Sequence, residues 1–75
     1  MTRAKFTCFA VEKSKHWDST KGFVYKAKFS PVTGGSEENQ SFFAATPSGS
    51  IELSTLSKDL FEPGVDYYVD FTKAE

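Results

Sequence analysis

Two stretches of this chain alternate apolar and polar residues with a period of two, and an extended strand with one buried face is the structure that uses that period. In "FVYKAKFS" the residues Phe23, Tyr25, Ala27 and Phe29 fall on one face, with Val24, Lys26, Lys28 and Ser30 on the other. In "VDYYVDFT" the inward set is Val65, Tyr67, Val69 and Phe71, and the outward set is Asp66, Tyr68, Asp70 and Thr72. The N-terminal "AKFTCFAV" starts in one phase (Ala4, Phe6, Cys8) and resumes in the other (Phe9, Val11), a slip that predicts a β-bulge near Cys8–Phe9. "SFFAAT" and "SIELSTL" supply two further short strands.

The connections then fix the expected architecture. Glu12 to Gly22 is long and polar, Thr33 to Asn39 is glycine-rich and acidic, and "TPSG" is tight. "SKDLFEPG" suits one helical turn: Ser57 as N-cap, Asp59 in the first turn, Leu60 and Phe61 over the core, and Pro63–Gly64 as the stop. Five short strands with this order of loops predict one all-β domain over residues 1–75, an SH3-like barrel with a short helical turn before the last strand. The oligonucleotide-binding barrel places its helix elsewhere and fits less well. The similarity is architectural and carries no function.

At 75 residues, a single core is only just sufficient. Eight Phe, three Tyr and one Trp make that core area-rich, and the small size favours a homo-oligomer. The single cysteine, Cys8, excludes an internal disulfide and favours a reducing compartment. No apolar run reaches the roughly 18 residues of a membrane span, and the N-terminus lacks the apolar stretch of a signal peptide. The expectation is a soluble cytoplasmic protein. The net charge of −1 conceals a split: residues 1–28 sum to +5 and residues 29–75 to −6. That split is either a basic binding face or basic strands laid beside acidic ones.

Catalysis has thin support. His16 is the only histidine, and Cys8 falls in a strand on the core side, so it reads as a small core residue. One histidine and one cysteine do not make a zinc site of usual spacing. Glu37 and Glu38 are adjacent on a loop, unlike the fixed, separated pair that acid–base chemistry uses. No phosphate-binding loop or dinucleotide fingerprint is present. The chain is expected not to be an enzyme and to carry no cofactor or metal.

Binding has better candidates. "KSKHWDSTKG" gathers Lys13, Lys15 and Lys21 with His16 and Trp17. A flat ring among cations suits base stacking with phosphate neutralisation, and it equally suits a lid over the barrel end. Lys26 and Lys28 share an outward face with Arg3 and Lys5, and Asp66 and Asp70 of the last strand are expected across from Lys5. In "TPSG", Pro47 and Gly49 are explained by a tight hairpin turn, whereas Thr46, Ser48 and Ser50 supply more hydroxyls than a turn needs.

The segment of residues 34–75, with "SEEN", "TPSG" and "GxxYYVDF", resembles small, mostly uncharacterised proteins encoded by tailed bacteriophages. The resemblance implies a phage origin and a host cytoplasm, and it carries no residue role. The leading expectation is a non-enzymatic phage-encoded binding protein, a host-defence antagonist that sequesters a phosphate-bearing signalling nucleotide. Trp17 or Tyr68 would stack on the base, Lys15, Lys21, Lys26 and Lys28 would supply charge, and Thr46, Ser48 and Ser50 would donate hydrogen bonds. A protein-interaction module, inhibiting a host protein or serving a virion, is the first alternative and predicts an exposed patch of Phe9, Phe42 or Phe43 and Tyr68 with no pocket. A single-stranded nucleic-acid-binding barrel is the second.

Overall fold

The computed structural model describes residues 2–43 and 47–74. Its elements are β1 (Thr2–Lys15), a 3-10 turn (Ser19–Lys21), β2 (Phe23–Pro31), α1 (Glu37–Phe42), β3 (Ile51–Thr55) and β4 (Asp66–Phe71). The four strands form one antiparallel sheet in the order β3-β2-β1-β4. The protein is therefore mostly β, and the last strand does lie beside the first.

The five-stranded closed barrel is not what the described residues build. The strand expected over 41–46 begins inside a helix: Ser41 and Phe42 end α1, and residues 44–46 lie outside the described residues. Among the described residues, β3 and β4 are the two edges of the sheet. The local reason is a helix start at "SEEN". Ser36 caps α1, its Oγ accepting the Asn39 N–H at 3.3 Å, and Glu37 and Glu38 occupy the first turn, where the helix dipole favours carboxylates.

Six residues make a marginal helix on their own, and Asn39 supplies the missing stability. Its side chain, 2% exposed, occupies the place where β2 leaves β1. Oδ1 accepts the Lys5 N–H at 2.7 Å, and Nδ2 donates to the carbonyls of Lys5 and Val32, each at 2.8 Å. The carboxamide thus extends the β-ladder by one rung after the strand itself has ended. A buried polar group is tolerated only with its partners met, and every side-chain donor and acceptor of Asn39 is engaged here.

The expected bulge is present. Cys8 pairs with Phe29 and Ala10 with Lys28, so Phe9 is the extra residue and stands 57% exposed. On the other side of β1, the Cys8 N–H donates to the Val65 carbonyl at 3.0 Å, and Gly64 N–H donates to the Cys8 carbonyl at 2.7 Å. Gly64 does so at a φ of 89°, which a side chain would resist. The bulge restores phase: Ala4, Phe6, Cys8 and then Val11 share a face with Ala27, Phe29, Tyr67 and Val69. Ala4, Phe6, Cys8, Ala27 and Phe29 form the buried core, and Cys8 is a small core residue as expected.

Two other expectations are corrected. Among the described residues no strand leads into "TPSG", whose Thr46 lies outside them, so the expected β-hairpin is not seen; residues 47–50 run irregularly into β3, although Gly49 does take a positive φ of 130°. Residues 57–65 form turns rather than a helical turn, with Thr55 Oγ1 accepting the Ser57 N–H. Phe61 still reaches the core, edge-on to Phe29 at 5.0 Å, while Leu60 is exposed. The loop expected from Glu12 is shorter than read, because β1 continues to Lys15.

The result is a thin, long molecule of 43 × 33 × 17 Å. Its radius of gyration is 14.4 Å, against about 11 Å for a compact chain of this length.

Replacing Asn39 by Leu keeps the volume but strands the Lys5 N–H and the Val32 carbonyl. We expect a loss of about 2–4 kcal/mol, from penalties of about 1–3 kcal/mol per unmet buried group. That corresponds to a fall in Tm of at least about 10 °C for a chain this small. Gln40→Leu, at the neighbouring exposed position, serves as the control in the same thermal melts and should stay within about 3 °C of the wild type.

Candidate functional site

The two faces of the sheet differ sharply in chemistry. On the polar face, charges pair across strands. Glu12 lies opposite Lys26, and Lys28 lies opposite Glu52; the ion pairs form along the diagonals, Lys28–Glu12 at 2.9 Å and Lys26–Glu52 at 3.5 Å. At the other end of β1, Arg3 makes a two-pronged contact with Asp70, at 2.7 and 3.2 Å. Tyr68, 53% exposed, carries Arg3 over its ring at 4.8 Å and Lys5 at 5.8 Å. The expected juxtaposition shifts by two residues: Tyr68 faces Lys5, while Asp70 faces Arg3 and Asp66 faces Thr7.

The opposite face is apolar and incompletely covered. Beside the small core lies an open concavity of about 720 Å³. Its walls include Phe6, Phe29, Leu53 and Val69 from the strands and Phe42 and Phe43 from the end of α1. Phe42 stacks on Phe71 with ring centroids 5.6 Å apart and planes only 11° from parallel. Phe43 leans on Phe6 at 6.4 Å. The doubled phenylalanine therefore sends one ring toward the core and one to the rim, from a helix end rather than from a strand. Ser48, Gly49 and Ser50 form part of the same wall.

The third feature is an arm. Beyond the bulge, β1 pairs with β2 alone, and beyond Tyr25 β2 has no β3 neighbour. The hairpin that projects ends at His16–Gly22, closed by the His16 N–H donating to the Gly22 carbonyl at 2.9 Å. Asp18 caps the 3-10 turn by accepting the Thr20 N–H and hydroxyl. Trp17 is 91% exposed at the tip, its ring 5.0 Å from that of His16. It is not a lid. Lys13 lies over the exposed ring of Phe23 at 4.3 Å, and both share the apolar face of the sheet. No described carboxylate pairs with Lys13, Lys15 or Lys21.

Comparison with protein-family models, curated proteins and solved structures finds no match to this chain.

The residues singled out from sequence thus fall in three places. Trp17, Lys15 and Lys21 are on the arm. Lys26 and Lys28 are on the polar face and engaged with carboxylates. Ser48 and Ser50 are on the concavity wall, near Tyr68, and Thr46 lies outside the described residues. Six residues of β2 separate Phe23, at the arm, from Phe29, opposite Ile51, a span of roughly 20 Å. One small ligand does not bridge it. Cys8 and His16 are eight residues apart along β1 and its continuation, roughly 26 Å, so they form no nucleophile pair. Among the described residues no cluster of three or more His, Cys, Asp or Glu is placed to hold a metal ion, and no helix is long and apolar enough to cross a membrane.

Two contributors were missed by sequence reasoning. Asn39 was read as loop, although Ser36-Glu37-Glu38 is a recognisable helix start. The rim rings Phe42 and Phe71 come together only through the helix.

Three carboxyls are held low. The Arg3 guanidinium keeps Asp70 below its ordinary 3.8, Lys28 keeps Glu12 below 4.5, and its own backbone N–H, then the Ser36 hydroxyl, keep Glu38 below 4.5. Groups depressed on folding contribute stability that is present above their unfolded values and lost as pH falls through the folded ones. Urea midpoints should therefore be maintained from pH 7 to 5 and fall below about pH 4.5. Asp70→Asn should flatten part of that fall, and 0.5 M salt should diminish it, because all three groups are solvated.

Proposed function

We propose that this protein is a non-enzymatic protein-interaction module that works by burying the apolar face of its sheet against another protein surface. The observation that carries the reading is the concavity walled by phenylalanines that the described elements leave open. A contiguous exposed apolar surface of this kind in a small soluble domain marks a contact site. Phe9, Phe42 and Tyr68 are exposed as an interaction module was expected to show, but they do not form the pocket-free patch expected: Phe42 lines the concavity and Tyr68 lies with Arg3 and Lys5 on the polar face. The distribution of charge agrees. Lys26 and Lys28 are tied to Glu12 and Glu52 on the polar face, so they add little field to the apolar side. The resemblance to small phage proteins fits a role as a direct antagonist of a host protein or as a virion part.

Capture of a phosphate-bearing nucleotide is the second reading, and one observation favours it. The concavity volume falls in the range of small-molecule sites, and Ser48, Gly49 and Ser50 lie on its wall. Against it, no Lys, Arg or His is among the described residues that line the concavity, and the carboxylate of Asp70 is held by Arg3 on the polar face.

A photo-crosslinking residue at position 53, on the apolar face, is expected to trap a defined protein, whereas the same residue at position 54, on the opposite face, traps none. Calorimetric titration with cyclic dinucleotides and ADP-ribose derivatives is expected to give no heat. Heat that disappears in Ser48→Ala/Ser50→Ala, with no difference between crosslinks at 53 and 54, reverses the conclusion in favour of the nucleotide.

A further inference from the structure

Resting on the interaction reading above, we propose that the surface covering the concavity is a second copy of this chain, whose basic arm lies across it.

The exposed area sets the size of the missing contact. The chain exposes 5578 Å², whereas a compact folded protein of 8.3 kDa exposes roughly 4,600 Å². The excess, roughly 1,000 Å², matches what one partner contributes to a standard specific interface, about 800 Å² per side. A small adventitious contact does not need that much surface.

The geometry of β1 selects a copy of the same chain. One continuous face of the sheet carries the arm at one end, with Lys13, Lys15 and Phe23, and the concavity at the other, with Val69 and Phe71. These two ends lie along the single 14-residue strand β1. Two such faces packed about a two-fold axis through the middle of β1 put the arm of each protomer over the concavity of the other. The contact is then made twice, as closed dimers require. An exposed tryptophan with flanking cations is the kind of residue that anchors a partner's apolar pocket.

Charge agrees in sign. The arm brings Lys13, Lys15 and Lys21 against Asp18 alone, while the far end, where Arg3 and Asp70 offset each other, brings Glu37 and Glu38 at the start of α1.

Trp17 is the only tryptophan, so its fluorescence reports directly on the tip. Sedimentation equilibrium should give about twice 8.3 kDa, and Trp17 emission should shift to the blue over the same concentration range in which the dimer forms. Trp17→Ala, at a position 91% exposed in the protomer, should keep the circular dichroism spectrum and raise the dimer Kd by about 30-fold or more, as an aromatic anchor does. Phe71→Asp should do the same from the other side of the contact. Mixing the two monomeric variants should restore a heterodimer, since the arm of one and the concavity of the other are intact. A monomer at every concentration, a dimer whose Trp17 emission does not move, or no recovery on mixing overturns the proposal. If position 53 still crosslinks a different protein in that event, the interaction reading stands without it; if position 53 crosslinks nothing, both fail.

Discussion

Three hydrogen bonds from one carboxamide decide where this sheet stops. β2 turns away from β1 after Pro31, and the backbone of Lys5 beyond that point needs partners. The side chain of Asn39 provides them and, in doing so, pins a helix that six residues do not sustain alone. The helix in turn places Phe42 and Phe43. Without Asn39 the segment has no reason to stay beside β1, and the wall of the concavity goes with it. A buried polar residue thus organises an apolar surface.

That surface exists because the chain runs short of covering material. A four-stranded sheet has two broad faces, and among the described residues only α1 and the turn around Phe61 pack on the apolar one. The core is five residues, two of them alanines. The polar face solves its own problem locally, with carboxylates and ammonium groups paired strand to strand. The apolar face has no such local solution. Its exposed rings are a hydrophobic cost that the isolated protomer carries, and this is why the interaction reading follows from the fold rather than from any motif.

Period-two alternation made the strands legible, including the phase slip at Cys8–Phe9, because side-chain direction in a strand depends only on sequence parity. What parity does not reveal is which segments stay extended. "SFFAAT" has a strand-like composition, yet the Ser36 cap and the acidic first turn just upstream commit its beginning to a helix. The cap was visible in the sequence; the decisive contact, Asn39 with Lys5 and Val32, joins segments far apart in the chain and was not. The candidate site suffered in the same way. Trp17 and Lys21 do share a loop, with Lys13 and Lys15 on the strand that leads into it, but the loop belongs to an arm that no local pattern announces. Lys26 and Lys28 looked available because their diagonal partners, Glu12 and Glu52, come from other strands. The surplus hydroxyls Ser48 and Ser50 did mark a wall of the concavity, for reasons unrelated to a turn.

The bulge at Phe9 has one more consequence, for the chain's tolerance of length changes. In an ordinary strand, losing one residue turns every later side chain to the wrong face. Here Phe9 is a spare: with it gone, Cys8 and Val11 become separated by the regular two residues, and the arm keeps its present face toward the same side. A one-residue gain has no such refuge and would present Ala10, Glu12 and Ser14 where Val11, Lys13 and Lys15 now stand. β1 is therefore forgiving of deletion and intolerant of insertion at the same point, an asymmetry that relatives of this chain would record as gaps opposite Phe9.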